Sequence, residues 1–337
     1  MMNNVYQSHE NDYGNVLPKI SIIIVNWNGK KFIRQCLSSV FSSNYPKSKL
    51  EVIVVDNAST DGSDKIILNE FPGIILIKNA KNLGYCEANN IGIRSSTGDI
   101  IFLLNNDTFI DPDCLIEIVK TMNSSQIGIV GCKLVYMNTS IIQSCGCREI
   151  FPGYWEDIAG GLSSAEFTYK DPFEVDYVYG AALAVRREVL KKIGLLDPVY
   201  WAYVEDVDLC YRARKSGFKV VTAPKAVVYH YGSASWTGRL FKQYLLMYRN
   251  KALFIYKNRQ NLTYLLEYIF WYIPSFMLRS LRNLILQRTV TQRIYQKISK
   301  KNHNYFIQIA MLFILNTFFF IVGLTTALYV LSRIGMK

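Results

Sequence analysis

The sequence predicts an α/β domain with a mostly parallel central sheet. Two observations carry this prediction. Short apolar runs alternate with stretches of helical spacing through the first third of the chain, and polar residues follow several of the runs directly. Strands that alternate with helices form parallel sheets covered on both faces. The predicted strands of this half are residues 20–25, 50–55, 74–77, 99–104 and 127–130.

Each intervening helix is predicted from its own apolar spacing. Asp61-Gly62-Ser63 is typical of a helix start, and Leu115, Ile118, Val119 and Met122 follow the i, i+3, i+4, i+7 pattern. The other apolar helix positions are Ile33, Leu37, Val40 and Phe41, then Ile66 and Ile67, then Ala88, Ile91 and Ile93. After Lys133 the alternation weakens, and we predict strands at 180–185, 220–222 and 227–229 and a helix at 205–215.

Polar side chains stand at the carboxyl ends of three predicted strands. Asn26 follows the first strand, Asp56 the second, and Asn105-Asn106-Asp107 the fourth. In open α/β sheets, ligands bind outside these strand ends. Ordinary turns also use Asn and Asp, so each cluster alone has a structural alternative. Together they predict a binding site at this edge of the sheet.

The residue types favour metal-assisted chemistry on a phosphate. A carboxylate such as Asp107 can hold Mg²⁺ or Mn²⁺ against phosphate oxygens. A neutral imidazole at His230 would complete the metal shell and favour manganese, although a lone histidine is also common as a structural residue. Glu205 and Asp206 open a predicted helix, where a carboxylate serves either as a cap or as a general base. We favour Asp206 as the base.

Composition separates a folded domain from a membrane-associated end. The chain has 337 residues and a formal charge of +12, with Lys and Arg crowded into 239–301. Such a basic stretch beside apolar segments favours anionic lipid headgroups, and no nucleic-acid-binding motif accompanies it. Residues 306–331 carry no charge and exceed the roughly 20 residues that span a bilayer, with a buried core helix as the alternative. The seven cysteines lack regular spacing, which favours reduced thiols.

We therefore divide the chain into four parts. Residues 1–18 form a flexible tail, 19–257 the catalytic domain, 258–305 basic and apolar interfacial helices, and 306–331 a transmembrane helix. The basic flank before the span favours a cytoplasmic amino-terminal domain. Residues 262–278 are also apolar but contain Glu267 and Pro274. We prefer an interfacial or re-entrant segment there, and a second span is the alternative.

Several segments together resemble the inverting glycosyltransferases of family 2, especially their rhamnosyltransferase-like branch. Val25-Asn26-Trp27-Asn28 resembles the first-strand motif without its usual proline, and 54–62 resembles the nucleobase turn. Residues 82–90 and 103–108 resemble the approach to the Asp-x-Asp motif, whose first acid is Asn105 here. The other matching segments are 180–182, 205–212, 230–233 and 249–251, so the resemblance covers about 20–257.

The resemblance implies a glycosyltransferase A-type domain that binds a nucleotide-diphosphate sugar and a divalent metal. It implies Asp107 and His230 as metal ligands and Asp206, with Glu205 beside it, as the catalytic acidic pair. The implied donor-binding residues are Val25, Asn26, Asn28, Asp56, Asn82, Gly84, Asn89, Asn106 and Asp107. We expect an enzyme of glycan or polysaccharide assembly at the cell membrane, acting on a lipid-linked saccharide acceptor and not on nucleic acid.

Two other classes remain open at this point. A nucleotidyltransferase also places acids at a strand end over a phosphate, and a non-catalytic membrane scaffold can keep the fold of a transferase. A dinucleotide-binding oxidoreductase is disfavoured, because Asn26-Trp27-Asn28-Gly29 after the first strand lacks the Gly-x-Gly-x-x-Gly pattern.

Overall fold

A computed structural model describes residues 17–151, 153–232 and 240–259, together with the single positions 321 and 325. The chain divides into two compact units, one of residues 1–148 with 157–237 and one of residues 149–156 with 238–337. The predicted tail before residue 17, most of the interfacial segment 258–305 and all but two positions of the predicted span 306–331 lie outside the described residues. No helix within the described part of the chain is long and apolar enough to cross a bilayer.

Twelve strands and seven α-helices are present in the described ranges. The strands are β1 (Ile20–Asn26), β2 (Leu50–Asp56), β3 (Ile75–Lys78), β4 (Ile100–Asn105), β5 (Thr108–Ile110), β6 (Ile127–Tyr136), β7 (Ile142–Ser144), β8 (Cys147–Phe151), β9 (Tyr154–Asp157), β10 (Phe173–Glu174), β11 (Ala182–Arg186) and β12 (Lys219–His230). The helices are α1 (Ile33–Phe41), α2 (Ser63–Glu70), α3 (Gly84–Arg94), α4 (Cys114–Thr121), α5 (Arg187–Ile193), α6 (Glu205–Lys215) and α7 (Leu240–Arg259).

One mixed sheet organises the first unit, with strand order β10-β12-β6-β11-β4-β1-β2-β3. The four strands at one end, β3, β2, β1 and β4, are parallel, as the sequence predicts. Strand β11 runs antiparallel to both of its neighbours, β4 and β6. It therefore enters the sheet at the edge where β4 ends. The expected parallel sheet is confirmed for the first half, and the second half is mixed.

The core forms where apolar strand faces meet amphipathic helices. Ile33, Cys36, Leu37 and Val40 share one face of α1 and are fully buried. Burying an aliphatic side chain of this size stabilises the fold by about 1.5–3 kcal/mol. Helix α3 lies so close to β1 that a Cβ on Gly92 would stand 2.4 Å from Ile23 Cγ2. These helices hold the strand ends at fixed positions.

The predicted strands 220–222 and 227–229 are one continuous strand, β12. Its pairing with β6 changes register between Ala223 and Val227, around Pro224, which lacks a backbone N–H. The strand then continues to His230, which pairs with Thr108 of β5. This pairing brings the end of β12 to the end of β4.

The second unit contains helix α7 and the tip of the β8–β9 hairpin. Leu253, Phe254 and Ile255 of α7 are buried. The Trp155 ring meets Phe254 edge-on, with 5.6 Å between the ring centroids. Aromatic pairs favour this geometry. Residues 249–251 thus lie on a helix that carries buried apolar residues in its following turn.

Candidate active site

The ends of β1, β2 and β4 are joined by a hydrogen-bond network centred on Asn26. The Asn26 amide donates to Asp56 Oδ1 at 2.9 Å and to Ser63 Oγ at 2.8 Å, and its oxygen accepts from Asn106 Nδ2 at 3.0 Å. Asn26 and Asp56 are buried. A Cβ on Gly29 would collide with the side chain of Asn106. Glycine at this position therefore lets the chain after β1 pass close to the end of β4.

The turn after β2 closes over the same network. Asn28, at φ 52°, accepts from Thr60 N at 2.8 Å and donates its backbone N–H to Ser59 Oγ. Asp56 Oδ2 accepts from Ser59 N at 3.1 Å, so both oxygens of this carboxylate have protein donors. Val25 pairs with neighbours in both adjacent strands. The predicted contact of Asp56 with a nucleobase stays a prediction.

Residues 82–90 form the turn before α3 and its first two turns, and hydrogen bonds fix them to the end of β2. Asn82 Oδ1 accepts from Asn57 Nδ2 and from Gly84 N, both at 2.9 Å. Gly84 has φ +85°, a value that glycine adopts without strain. The buried Asn89 donates to the carbonyl of Tyr85 within its own helix. Asn82 and Gly84 thus face the strand ends, whereas the Asn89 amide is used inside α3.

Asp107 and His230 lie together, as the sequence predicts for a shared site. His230 Nε2 is 3.2 Å from Asp107 Oδ1, with both side chains less than a tenth exposed. Two contacts hold these two segments at this distance: Thr108 pairs with His230, and Tyr231 N donates to Asp107 O. His230 Nδ1 is 2.8 Å from Gln143 Oε1.

The donor set of this pair fits a divalent cation. A neutral imidazole carries one N–H, and the amide oxygen of Gln143 places it on Nδ1. The lone pair on Nε2 then faces a carboxylate, and Nε2 has no partner with hydrogen-bond geometry. Adjacent ligands of an octahedral ion with bonds of about 2.1 Å stand about 3.0 Å apart, close to the distance seen. Within the described ranges no cluster of three or more His, Cys, Asp or Glu is found.

Glu205 and Asp206 begin α6 in different environments. Asp206 accepts from Gly180 N at 2.9 Å and from Val207 N at 2.8 Å, and it is partly exposed. Glu205 is only 6% exposed, and its Oε2 has no hydrogen-bond partner. Burial raises the pKa of Glu205 well above its usual range, and the adjacent Asp206 carboxyl raises it further. Burial also raises the pKa of Asp206, but its two backbone N–H donors act in the opposite direction.

A short backbone path connects Asp206 with the end of β4. Gly180 holds the Asp206 carboxylate, and the next residue, Ala181, accepts from Asn105 N at 3.0 Å. Asn105 is two residues before Asp107. The structure therefore brings Asp107 and His230 into direct contact and joins Asp206 to the same strand end.

Three further residues shape this region but are absent from the sequence predictions. Gln143 orients His230, and the hydroxyl of Tyr85 donates to Gly180 O at 2.7 Å. Trp201 O accepts from the N–H groups of Tyr85 and Cys86, at 2.7 and 3.1 Å. The aromatic run 200–203 is the only sequence signal for Trp201. Nothing in the spacing of Gln143 distinguishes it.

A groove of about 590 Å³ opens beside this pair, on the same segment of β12. No charged side chain lines it, so it lacks the cations that would hold a diphosphate. The residues that line the groove are Gln35, Phe109, Met137, Asn138, Thr139, Ser140 and Tyr229.

The half-parallel sheet with polar strand ends is a glycosyltransferase A-like α/β fold. The family model described as glycosyl transferase family 2 matches residues 21–194, more than half of the chain. The chain therefore belongs to this family.

Relatives with named activities act in glycan assembly. The chain is 25% identical over 292 residues to the dolichyl N-acetyl-alpha-D-glucosaminyl phosphate 3-beta-D-2,3-diacetamido-2,3-dideoxy-beta-D-glucuronosyltransferase of Methanococcus voltae, covering 80% of this chain and 88% of that protein. It is 27% identical over 227 residues to the O-antigen biosynthesis protein RfbC of Myxococcus xanthus, covering 65% of this chain and 18% of RfbC. It spans a quarter of an uncharacterized Sinorhizobium fredii protein, y4gI, at 28% identity over 65% of this chain.

Solved structures support the fold. The mannosyltransferase PcManGT of Pyrobaculum calidifontis, in complex with GDP-Man and Mn²⁺, matches with a TM-score of 0.59 and 17% identity, over 93% of this chain and 87% of that chain. GalNAc-T7 with UDP, GalNAc and Mn²⁺ matches with a TM-score of 0.57 and 19% identity, over 71% of this chain and 48% of that chain. At these identities the likeness shows a shared fold.

Proposed function

We propose that this protein is an inverting glycosyltransferase that moves a sugar from a nucleotide-diphosphate sugar to a hydroxyl of a saccharide acceptor. The observation that carries the proposal is the Asp107–His230 contact at the end of β4, with the Asp206 carboxylate tied to the same strand end through Gly180. The Asp107–His230 pair suits a metal-bound diphosphate leaving group, and the Asp206 carboxylate suits a general base.

The ends of the parallel strands would bind the donor. Asn26 and Asn106 fix the turns after β1 and β4, so the backbone at this edge is preorganised before the donor arrives. Asp107 and His230 would hold Mg²⁺ or Mn²⁺, which offsets the negative charge of the departing diphosphate. Gln143 keeps the imidazole of His230 oriented for that role.

Asp206 would act as the base, and Glu205 would not. Two backbone N–H donors favour the ionised form of Asp206, and its partial exposure leaves room for an acceptor. Glu205 is buried without a partner for Oε2, which favours the protonated form. A carboxylic acid that keeps its proton cannot remove another. The environments of the two neighbours therefore separate their roles.

The reaction is a single displacement. The acceptor hydroxyl gives its proton to the Asp206 carboxylate, and its oxygen forms a bond to the anomeric carbon. The bond from that carbon to the diphosphate oxygen breaks, and its electron pair leaves with the nucleoside diphosphate. Attack from the face opposite the leaving group inverts the anomeric centre. No covalent enzyme intermediate is needed.

The acceptor class and location extend this proposal. A lipid-linked saccharide acceptor is supported by the dolichyl phosphate in the name of the M. voltae relative and by O-antigen biosynthesis in that of the M. xanthus relative. The uncharged run 306–331 after the basic stretch supports attachment to the cell membrane with a cytoplasmic catalytic domain. Membership in the rhamnosyltransferase-like branch rests on the motifs in 82–90 and 103–108.

The test uses the full chain with a panel of nucleotide sugars and saccharide acceptors. We expect release of a nucleoside diphosphate and, by NMR, a product anomer opposite to the donor anomer. Asp206→Asn should lower transfer by about 10²- to 10⁴-fold, the usual contribution of a general base. Asp197→Asn is the matched control, because Asn can still accept from Val199 N and the change lies outside the site.

Four outcomes would overturn the proposal. Pyrophosphate release would identify a nucleotidyltransferase, and a retained anomeric configuration would exclude single displacement. Near-normal transfer by Asp206→Asn would remove the base assignment. Absence of turnover with every donor and acceptor, in folded protein supplied with Mn²⁺, would favour the non-catalytic scaffold.

A further inference from the structure

The hydroxyl of Tyr85 lies at the junction between the 82–90 segment and the acidic pair. It donates to Gly180 O at 2.7 Å, across a sequence separation of 95 residues. The N–H of the same glycine donates to Asp206 Oδ2 at 2.9 Å. A Cβ built on Gly180 would stand 3.5 Å from both the Tyr85 hydroxyl and Asp206 Cβ. The phenol, the glycine and the carboxylate therefore meet at one point.

The hydroxyl, the backbone N–H and the backbone carbonyl of Tyr85 each make a hydrogen bond. Its N–H donates to Trp201 O at 2.7 Å, and its carbonyl accepts from Asn89 Nδ2 at 2.9 Å. Burial, together with the nearby Glu205 and Asp206 carboxyls, raises the pKa of Tyr85, so the hydroxyl keeps its proton and remains a donor. A residue fixed in this way can fix its own partner.

We infer that Tyr85 is a positioning residue for the general base: its hydroxyl orients the Gly180 backbone so that the Gly180 N–H holds the Asp206 carboxylate. This inference rests on the proposed function, since it assigns Tyr85 to the base of that reaction. Tyr85 acts through Gly180 and has no role as a proton donor or acceptor for the substrate.

Hydrogen bonds also connect the segment before Tyr85 with the residue after β2. Gly84, directly before Tyr85, donates to Asn82 Oδ1, and Asn57 bonds to both Asn82 and the carbonyl of Gly84. These residues face the strand ends where the donor is expected. The turn before Tyr85 is therefore tied to the end of β2.

The titratable groups around Asp206 come from three elements. A pH profile must be interpreted against all of them. Within the described residues they are Tyr85 and Cys86 of α3, Tyr177 in the segment before Gly180, and Glu205 and Cys210 of α6. Burial raises the pKa of each of these groups and also that of Asp206, but only Asp206 has the Gly180 and Val207 N–H donors that act in the opposite direction.

The test is Tyr85→Phe, which removes one hydroxyl and keeps the ring. We expect kcat to fall about three- to tenfold, the change that corresponds to one net hydrogen bond, with the KM for the donor unchanged. The acidic limb of the kcat/KM profile should move up by about half to one pH unit, because a weakened Gly180 N–H bond favours protonated Asp206. A loss of stability alone would not move this limb.

Tyr200→Phe is the matched control. Tyr200 is fully buried and donates its hydroxyl to Asp208 Oδ1 at 3.1 Å, on the same helix as Asp206. We expect its acidic limb to stay at the wild-type position. Equal shifts in both variants would show a general effect on α6 and overturn the inference. So would a wild-type limb in folded Tyr85→Phe.

Gly180→Ala gives a second measurement on the same contact. Its methyl would meet Tyr85 and Asp206 at ordinary van der Waals distances, so the variant is expected to fold. It would exclude water from the carboxylate and move the acidic limb upward, and an unmoved limb would contradict the inference. Asp206→Asn separates the two proposals. If it abolishes transfer while Tyr85→Phe and Gly180→Ala leave the limb in place, only the role of Tyr85 is wrong.

Discussion

The ends of β1 and β2 and the region around α6 and the end of β12 are built in opposite ways. Around Asn26 the buried amides and the Asp56 carboxylate all have protein partners. Around α6 and the end of β12, two buried atoms lack one, Glu205 Oε2 and His230 Nε2. They are two of only three such side-chain atoms in the described part of the chain. In the first region folding alone supplies partners for the buried polar atoms. In the second region a proton, a cation or a substrate is needed to supply them.

Backbone strain does not explain this difference. Asn28 and Ala58 have positive φ in the first region, and Trp201, Tyr203 and Val204 have positive φ before α6. Val204 is β-branched, which makes that conformation more costly. Both regions therefore contain tight turns. What separates them is the pairing of buried polar atoms, so substitutions should affect stability in the first region and activity in the second.

The largest effect is expected for Asp107→Asn in the second region. Loss of the carboxylate that faces His230 should lower transfer by at least about 100-fold, since metal stabilisation of a leaving group contributes several kcal/mol. Transfer measured against Mn²⁺ concentration should lose its metal dependence, and electron paramagnetic resonance should show weaker Mn²⁺ binding with nucleoside diphosphate. Asp113→Asn is the control, because this Asp accepts from Asn44 near the surface. Full activity of Asp107→Asn in excess chelator would exclude the metal site.

An intermediate effect is expected for Asn26→Ala in the first region. The change leaves Asp56, Ser63 and Asn106 short of partners, and we expect the free energy of unfolding to fall by about 2–3 kcal/mol. Urea denaturation followed by circular dichroism measures it. Asn44→Ala removes an exposed amide hydrogen bond and should change stability by less than about 0.5 kcal/mol. Equal stability of the two variants would show that the network is not a stability element.

For Glu205→Gln we expect a change in the pH dependence of stability. The pKa of Glu205 is raised, so between its ordinary value of 4.5 and the raised value the folded protein holds a proton that the unfolded chain has lost. Stability due to this group therefore falls as pH rises above 4.5, by at most about 1.4 kcal/mol per pH unit. Glu205→Gln should flatten that fall in denaturation curves from pH 5 to 8.

An exposed glutamate serves as the control for this measurement. The Ser163 backbone N–H lowers the pKa of Glu166, so its contribution is lost as pH falls, the opposite sign. Glu166→Gln should leave the slope between pH 5 and 8 unchanged. An identical slope in wild type and Glu205→Gln would mean that the buried carboxyl ionises as freely as one in water.

Local patterns in the sequence were sufficient for helices α1 to α4 and α6 and for the parallel strands β1 to β4, whereas α5 and α7 were not predicted. The helix at 205–215 is observed with the predicted bounds, and β1, β2 and β4 each differ from prediction by one residue. Apolar periodicity and strand ends are properties of neighbouring residues, and so they can be read directly. The polar residues at the ends of β1, β2 and β4 followed from the same patterns.

Contacts over long sequence separations could not be read in this way. His230 reaches Asp107 because β12 pairs with β5, and the irregularity around Pro224 made β12 look like two strands. Gln143 lies on the three-residue strand β7, which is too short for a periodic signal. The Tyr85 hydroxyl donates to Gly180 O because β11 is inserted antiparallel beside β4. These contacts depend on tertiary topology, which no single segment encodes.

The antiparallel insertion of β11 also determines where the chain tolerates changes in length. Ala182 pairs with Leu104, and the registration continues to Arg186 opposite Ile100. Deleting one residue within 180–186 would shift the register between β11 and β4 by one residue. The Gly180 N–H would then no longer lie within hydrogen-bond distance of Asp206. The exposed loop 170–172 lies outside every strand and is free of that constraint. Natural or engineered insertions that preserve turnover should therefore accumulate in 170–172 and be absent from 180–186.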